Sequence, residues 1–128
     1  MRVYVASKSR HAPFWTALRS LGLPIVASWI DSPINHKGGK PTDDDWSKHW
    51  ARCISEASAS DVLLFVALEG ETQCGSLIEL GSALSQNKRV FLVSDYEWSI
   101  AHHPRCQRFA TLAAAVEAIM VRLRSKIA

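Results

Sequence analysis

Val62-Leu-Leu-Phe-Val-Ala-Leu68 is the most apolar run of the sequence. Glu69-Gly-Glu-Thr-Gln-Cys-Gly-Ser-Leu-Ile-Glu-Leu-Gly-Ser-Ala-Leu84 follows it directly. The apolar run reads as a strand buried on both faces, the pattern of a parallel sheet. The chain then breaks on Gly70 and Gly75 and turns helical, with Leu77, Leu80, Gly81 and Leu84 at spacings of three and four. A strand, a loop with glycines and a helix N-terminus form a polar pocket with free backbone N–H groups. One carboxylate, Glu79, lies just inside that helix. At about 100° per residue it falls off the apolar face, with Ser76, Ser82 and Ala83 beside it. It is therefore either a solvent-exposed helical glutamate or the reactive group of the pocket. The small residues around it suit close approach of a second helix, as in a dimer contact.

Working outward, Met1-Arg-Val-Tyr-Val-Ala6 alternates and is rich in β-formers, so it reads as the first strand, ending at the polar loop Ser7-Lys-Ser-Arg10. A helix is predicted from about Pro13 to Leu21, with Phe14, Leu18 and Leu21 on one face and Gly22 as its stop. Ile25–Ile30 reads as the second strand, running into Asp31. Ser32 to Pro41 is irregular and carries His36 and two lysines; it is either a plain connection or a lid over a ligand. Thr42 is the predicted N-cap of the next helix and Asp45 its capping-box partner. Trp46, Trp50, Cys53 or Ile54, and Ala57 recur along that helix at helical spacing and read as core.

Beyond the opening stretch, Gln86–Arg89 turns the chain out of its helix and Val90–Val93 is a further buried strand. Ser94–Arg105 is irregular, a short strand is expected near Gln107–Phe109, and Thr111 caps a last helix striped by Leu112, Val116, Ile119, Leu123 and Ile127. This order predicts an α/β fold, a doubly wound parallel sheet of about five strands with helices on both faces. The expected strand order is 2-1-3-4-5, as in flavodoxin-like folds. Ligands of such sheets bind beyond the strand C-termini at the switch point. That rule gathers Ser7 to Arg10, the region after Asp31, and Glu69 to Glu79.

Composition narrows the function classes. The 128 residues fit one domain with a real core, 1–128, and a net charge of +3 is slight. No dense basic patch or nucleic-acid motif is present; Arg122, Arg124 and Lys126 read as a solvated helix end, where cations suit the dipole. No apolar stretch approaches the roughly 20 residues that cross a membrane, and the N-terminus opens on a strand pattern without signal-peptide architecture. Cys53, Cys74 and Cys106 stand apart, arguing against a disulfide framework or zinc site and for a reducing, cytoplasmic setting. The five histidines lack the spacing of a helical metal pair, so neither a metal nor another cofactor is expected. Dinucleotide and triphosphate glycine motifs and the serine nucleophile elbow are missing. A carboxylate is left as the candidate for catalysis.

Gly75-Ser-Leu-Ile-Glu-Leu-Gly-Ser-Ala-Leu84, followed by Asn87-Lys-Arg-Val-Phe-Leu-Val93, resembles the signature of the nucleoside 2-deoxyribosyltransferases and their nucleotide N-hydrolase relatives. Val3-Tyr-Val-Ala-Ser-Lys-Ser-Arg10 is similar to the family's first strand and substrate loop, and Ser60-Asp61 fits the opening of its third strand. The resemblance spans Arg2 to about Val93. It implies cleavage or transfer at the N-glycosidic bond of a nucleoside or nucleoside 5′-monophosphate, without a cofactor. Glu79 would be the nucleophile and Tyr4 the residue that orients it. Ser7, Lys8, Arg10, Asp31, Asp45, Glu69, Gly75 and Ser76 are the implied substrate-binding residues. If Lys8 and Arg10 both point inward, a nucleotide is favoured. The family's acid about six residues before the glutamate is replaced by Gln73. Its other acid, ahead of the third strand, would come from Asp43 to Asp45 or be lost, with Trp50 and Cys53 nearby. The expected partners are a small-molecule substrate and a second copy of the chain, with no nucleic acid or membrane. A non-catalytic nucleotide-sensing module and a TIR-like NAD glycohydrolase are the alternatives.

Overall fold

The computed structural model describes residues 1–32, 40–71 and 75–127. The expected lid or connection therefore falls mostly outside the described residues, as do His36, Gln73, Cys74 and the side chain of Ile127. Four parallel strands form one sheet in spatial order β1 (Val3–Ala6), β2 (Val62–Ala67), β3 (Arg89–Ser94) and β4 (Cys106–Phe109). The helices are α1 (Ala12–Ser20), α2 (Asp43–Ala59), α3 (Gly75–Ser85) and α4 (Leu112–Ile127). All six residues of β2 are buried, as its unbroken apolar run requires of a central parallel strand.

The expected second strand, Ile25–Ile30, is the main correction to the fold. Ile25 makes one parallel bridge to Val3, and the segment then winds into a 3₁₀ turn over Ser28–Ile30. Val3 N–H donates to the Pro24 carbonyl and Val26 N–H to the Val3 carbonyl, and there the pairing stops. Trp29 turns inward instead, and its indole N–H donates to the Val5 carbonyl at 2.9 Å. A side chain thus satisfies the β1 edge carbonyl that a longer strand would have paired. With Ile25 counted at the edge, the expected order 2-1-3-4-5 stands with its first member reduced to a bridge.

Alternation along the strands assigns the two faces. Tyr4, Leu63, Val90 and Cys106 share one level, while Arg89 and Phe91 of β3 point to the opposite face. α2 and α3 cover the Tyr4 face, placing Cys53 and Glu79 against it. α4 covers the other, where the Arg122 guanidinium lies 5.7 Å from the centre of the Phe91 ring.

The helices follow their local signals, with two changes of face and with Trp46, expected on the core side of α2, exposed instead. Thr42 and Asp45 close a capping box on α2: Asp45 N–H donates to Thr42 Oγ1 at 3.1 Å and Thr42 N–H to Asp45 Oδ2 at 2.8 Å. Gly22, with φ of 109°, stops α1 in a backbone conformation that suits glycine. α1 does not bury the expected face, since Leu21 is 81% exposed and Phe14 is exposed as well. Ala12 and Trp15 point inward instead. α3 is also turned: its buried residues are Ser76, Glu79, Leu80 and Ala83.

Candidate active site

That turn of α3 decides the character of its carboxylate. Leu80 belongs to both the expected face and the observed one, but Gly81 is exposed, and Leu77 and Leu84 are only partly buried. Glu79, at 7% exposure, lies inside. Its partner comes from β1. The Tyr4 hydroxyl, fully buried, donates a hydrogen bond to Glu79 Oε2. An apolar face would have excluded Glu79, but a buried hydroxyl donor supplies the hydrogen bond that a buried carboxylate needs.

The electrostatics of the pair follow from burial. Loss of water pushes the Glu79 carboxyl up to about 7; the Tyr4 bond opposes that rise, and Glu56 adds to it. The Tyr4 phenol is driven far above its ordinary range, first by burial and then by Glu79, so it keeps its proton and stays a donor. Cys53 approaches the Tyr4 hydroxyl from α2. Burial pushes its thiol up to about 11, so it too holds its proton. One turn earlier, His49 Nε2 lies 3.6 Å from Cys53 Sγ. Burial lowers the proton affinity of that imidazole.

The titration of Glu79 predicts a signature in stability. A carboxyl ordinarily near 4.5 and native at about 7 leaves the folded state holding more protons than the unfolded state across that window. Its contribution to stability therefore falls as pH rises from 4.5 to 7 and is flat above. Urea denaturation of wild type and Glu79→Gln across this range should show the slope in the first protein only.

Trp50 and Gly75 close one side of the site. A Cβ on Gly75 would stand 2.7 Å from Trp50 Cη2, closer than van der Waals contact allows. Gly75, expected among the substrate-binding residues, thus has a packing reason as well: the indole lies on the first residue of α3. Gly75→Ala should destabilise the protein by about 1–3 kcal/mol, as overpacking does, and Trp50→Leu should recover much of that loss in thermal denaturation. An undiminished midpoint in Gly75→Ala would show that the indole moves freely.

A second buried carboxylate was not singled out by the sequence. Glu71, 3% exposed, accepts from Arg10 Nη2 at 2.6 Å and from Leu68 N–H at 2.9 Å, and lies 2.6 Å from His11 Nε2. Burial would raise it, but the bonds from His11 and Leu68 outweigh that and hold it below the usual carboxylate range. The Glu71 clamp ties the loop after β1 to the loop after β2, the two loops that a switch-point ligand meets.

No family model matches the chain, and no curated protein matches it in sequence. Solved structures do match it in shape. The 2-deoxyribosyltransferase of Bacillus psychrosaccharolyticus superposes with a TM-score of 0.69 at 14% identity, over 91% of this chain and 90% of that one. The Clostridium botulinum CMP N-glycosidase BcmB gives 0.58 at 14%, over 94% and 99%. The Leishmania mexicana 2-deoxyribosyltransferase gives 0.61 at 16%, over 94% and 97%. The chain has the 2-deoxyribosyltransferase fold.

Within this fold the expected site residues divide into groups. Tyr4, Glu79, Gly75 and the buried Ser76 gather around the N-terminal half of α3. Ser7, at the end of β1, accepts from the Trp15 indole N–H at 2.7 Å. Lys8 precedes the 3₁₀ turn Ser9–His11 as its N-cap. Arg10 is engaged by Glu71 yet keeps a side chain 67% exposed. Glu69 is exposed in the turn after β2. The carboxylates of Asp31 and Asp45 are engaged elsewhere. Asp31 forms a two-pronged pair with Arg19 at 2.6 and 3.0 Å, and Asp45 caps α2. Asp31 is paired with a cation of α1 and Asp45 with the cap of its own helix, so neither stands as a free acid. Among the described residues, no group of three or more His, Cys, Asp or Glu is arranged to hold a metal, and no helix is long and apolar enough to cross a membrane.

Proposed function

We propose that the protein cleaves or transfers at the N-glycosidic bond of a nucleoside or nucleoside 5′-monophosphate, with Glu79 as nucleophile. The observation that carries this reading is the buried Tyr4–Glu79 pair, which matches the roles implied by the sequence resemblance. In this mechanism a Glu79 carboxylate oxygen attacks C1′ of the sugar, and the electrons of the C1′–N bond leave with the base. The base takes up one proton. Water, or the nitrogen of a second base, then attacks C1′, releases its own proton, and frees Glu79 as a carboxylate. A negative oxygen beside C1′ also stabilises the oxocarbenium character of both transition states. Tyr4 fixes the orientation of the carboxylate, and Lys8 and the exposed part of Arg10 supply charge for a 5′-phosphate. We place the enzyme in the reducing cytoplasm as a homodimer that pairs through the outer face of α3, where Ile78 is half exposed beside Gly81.

Activity should follow the ionisation of Glu79. With that carboxyl at about 7, kcat/KM is expected to rise roughly tenfold per pH unit below neutrality and to level off above it. The direct test is incubation with pooled nucleosides and 5′-monophosphates, with free base followed by mass spectrometry across pH 5–9. A rate flat from pH 5 to pH 9 would argue against a buried carboxylate nucleophile.

Cys53 favours a second reading. The neighbour of Tyr4 on α2 is a thiol at about 11, a weak acid for protonating a departing base. A base that leaves as a neutral molecule from a cationic glycoside needs no such acid, and nicotinamide leaving NAD is of this kind. Nicotinamide release from NAD with no release from ordinary nucleosides would select this reading over the first.

A further inference from the structure

Beyond the Tyr4–Glu79 site, the opposite face of the sheet carries three arginines from three separate elements. Arg89 opens β3. Arg105 immediately precedes β4, and the pairing of Val90 with Cys106 places it beside Arg89. Arg89 and Phe91 point to the same face by strand alternation, and Arg122 of α4 lies over the Phe91 ring. We propose that Arg89, Arg105 and Arg122 form a binding site for a phosphate-class oxyanion, either free phosphate or the phosphate group of a small ester.

Three observations support it. First, none of the ion pairs found among the described residues involves these arginines, whereas Arg2, Arg10, Arg19 and Arg124 each have a carboxylate partner. Second, Arg105 donates through Nη2 to the Asn87 carbonyl at 2.9 Å, while its shielded Nε has no acceptor. A shielded guanidinium N–H without a partner is costly, and an oxyanion would satisfy it. Third, Arg89 is held below the ordinary guanidinium range by burial and then by Arg122 and Arg105, so both lie close enough for Arg89 to feel their charge. The favourable end of the α4 dipole accounts for cations near its C-terminus, but not for the arginine that opens β3 and the one that precedes β4. Planar forks drawn from three separate elements suit a tetrahedral anion of two charges.

The test is thermal unfolding and calorimetric titration with inorganic phosphate against chloride at matched ionic strength. Wild type, Glu79→Gln, Arg105→Gln and the double variant Arg89→Gln/Arg122→Gln are compared. Phosphate is expected to raise the midpoint above that in chloride for wild type and Glu79→Gln alike. Its dissociation constant should weaken by at least about tenfold in the arginine variants, the scale of one lost charge-assisted bond. Equal midpoints in phosphate and chloride for wild type would overturn the proposal, whatever the variants do. So would phosphate binding of undiminished strength in folded arginine variants, which would place the anion elsewhere.

Discussion

Glu79→Gln is expected to abolish base release while leaving the fold intact. The amide keeps an oxygen to accept from the Tyr4 hydroxyl, and its volume matches the carboxyl it replaces, so the interior of α3 is preserved. What it lacks is a charge that can bond to C1′. Removing a residue that acts covalently costs about 10⁴-fold or more in other enzymes, and a loss of that order is expected in kcat/KM. Circular dichroism and a cooperative thermal transition would establish that the variant is folded. A folded Glu79→Gln releasing base at the wild-type rate would remove Glu79 from the mechanism.

Tyr4→Phe carries the next largest effect and acts through Glu79. The Tyr4 hydrogen bond is the force that lowers the Glu79 carboxyl against burial. Without it the carboxyl moves further up, less of it is ionised at pH 7, and the acid limb of the rate profile shifts to higher pH. A fall of about 10- to 100-fold at pH 7 is expected, partly recovered toward pH 9, since each unit of displacement is worth tenfold. Stability should fall by about 1–3 kcal/mol as a buried charged acceptor loses its donor. The loss should be larger at pH 8, where the carboxylate is charged, than at pH 5. A Tyr4→Phe profile with its acid limb unmoved would show that the hydroxyl serves packing alone.

These two residues also show how much of the site was legible in the sequence. Tyr4 and Glu79 were reached by motif resemblance, and the polarity pattern of α3 argued against the second. Counting Leu77, Leu80, Gly81 and Leu84 as the core face set Glu79 outside, because periodicity scores a carboxylate as a surface residue. The structure buries Ser76, Glu79, Leu80 and Ala83 instead, since the phenol of Tyr4 supplies what the helix face lacks. Small residues flanking a glutamate were the available signal, and they mark an inward face rather than an outer contact. The central strand was plain in Val62–Leu68, because an apolar run of that length leaves no polar face. The strand at Ile25–Ile30 failed for a local reason. Its composition suits a strand, but the Trp29 indole takes the Val5 carbonyl that would have continued the pairing. The clamp of Glu71, Arg10 and His11 was out of reach altogether. Glu71 lies about 60 positions from Arg10 and His11, and although Arg10 was expected near the substrate, nothing local pairs it with Glu71.

In the proposed mechanism Glu79 becomes covalently bonded to the sugar carbon that loses its base. Mass spectrometry of the protein, quenched in acid during turnover and then digested, tests it most directly. A mass increase equal to the glycosyl group is expected on the peptide that contains Glu79, present in wild type and missing in Glu79→Gln. Release of base with that peptide unmodified, or an adduct on a different residue, would contradict it.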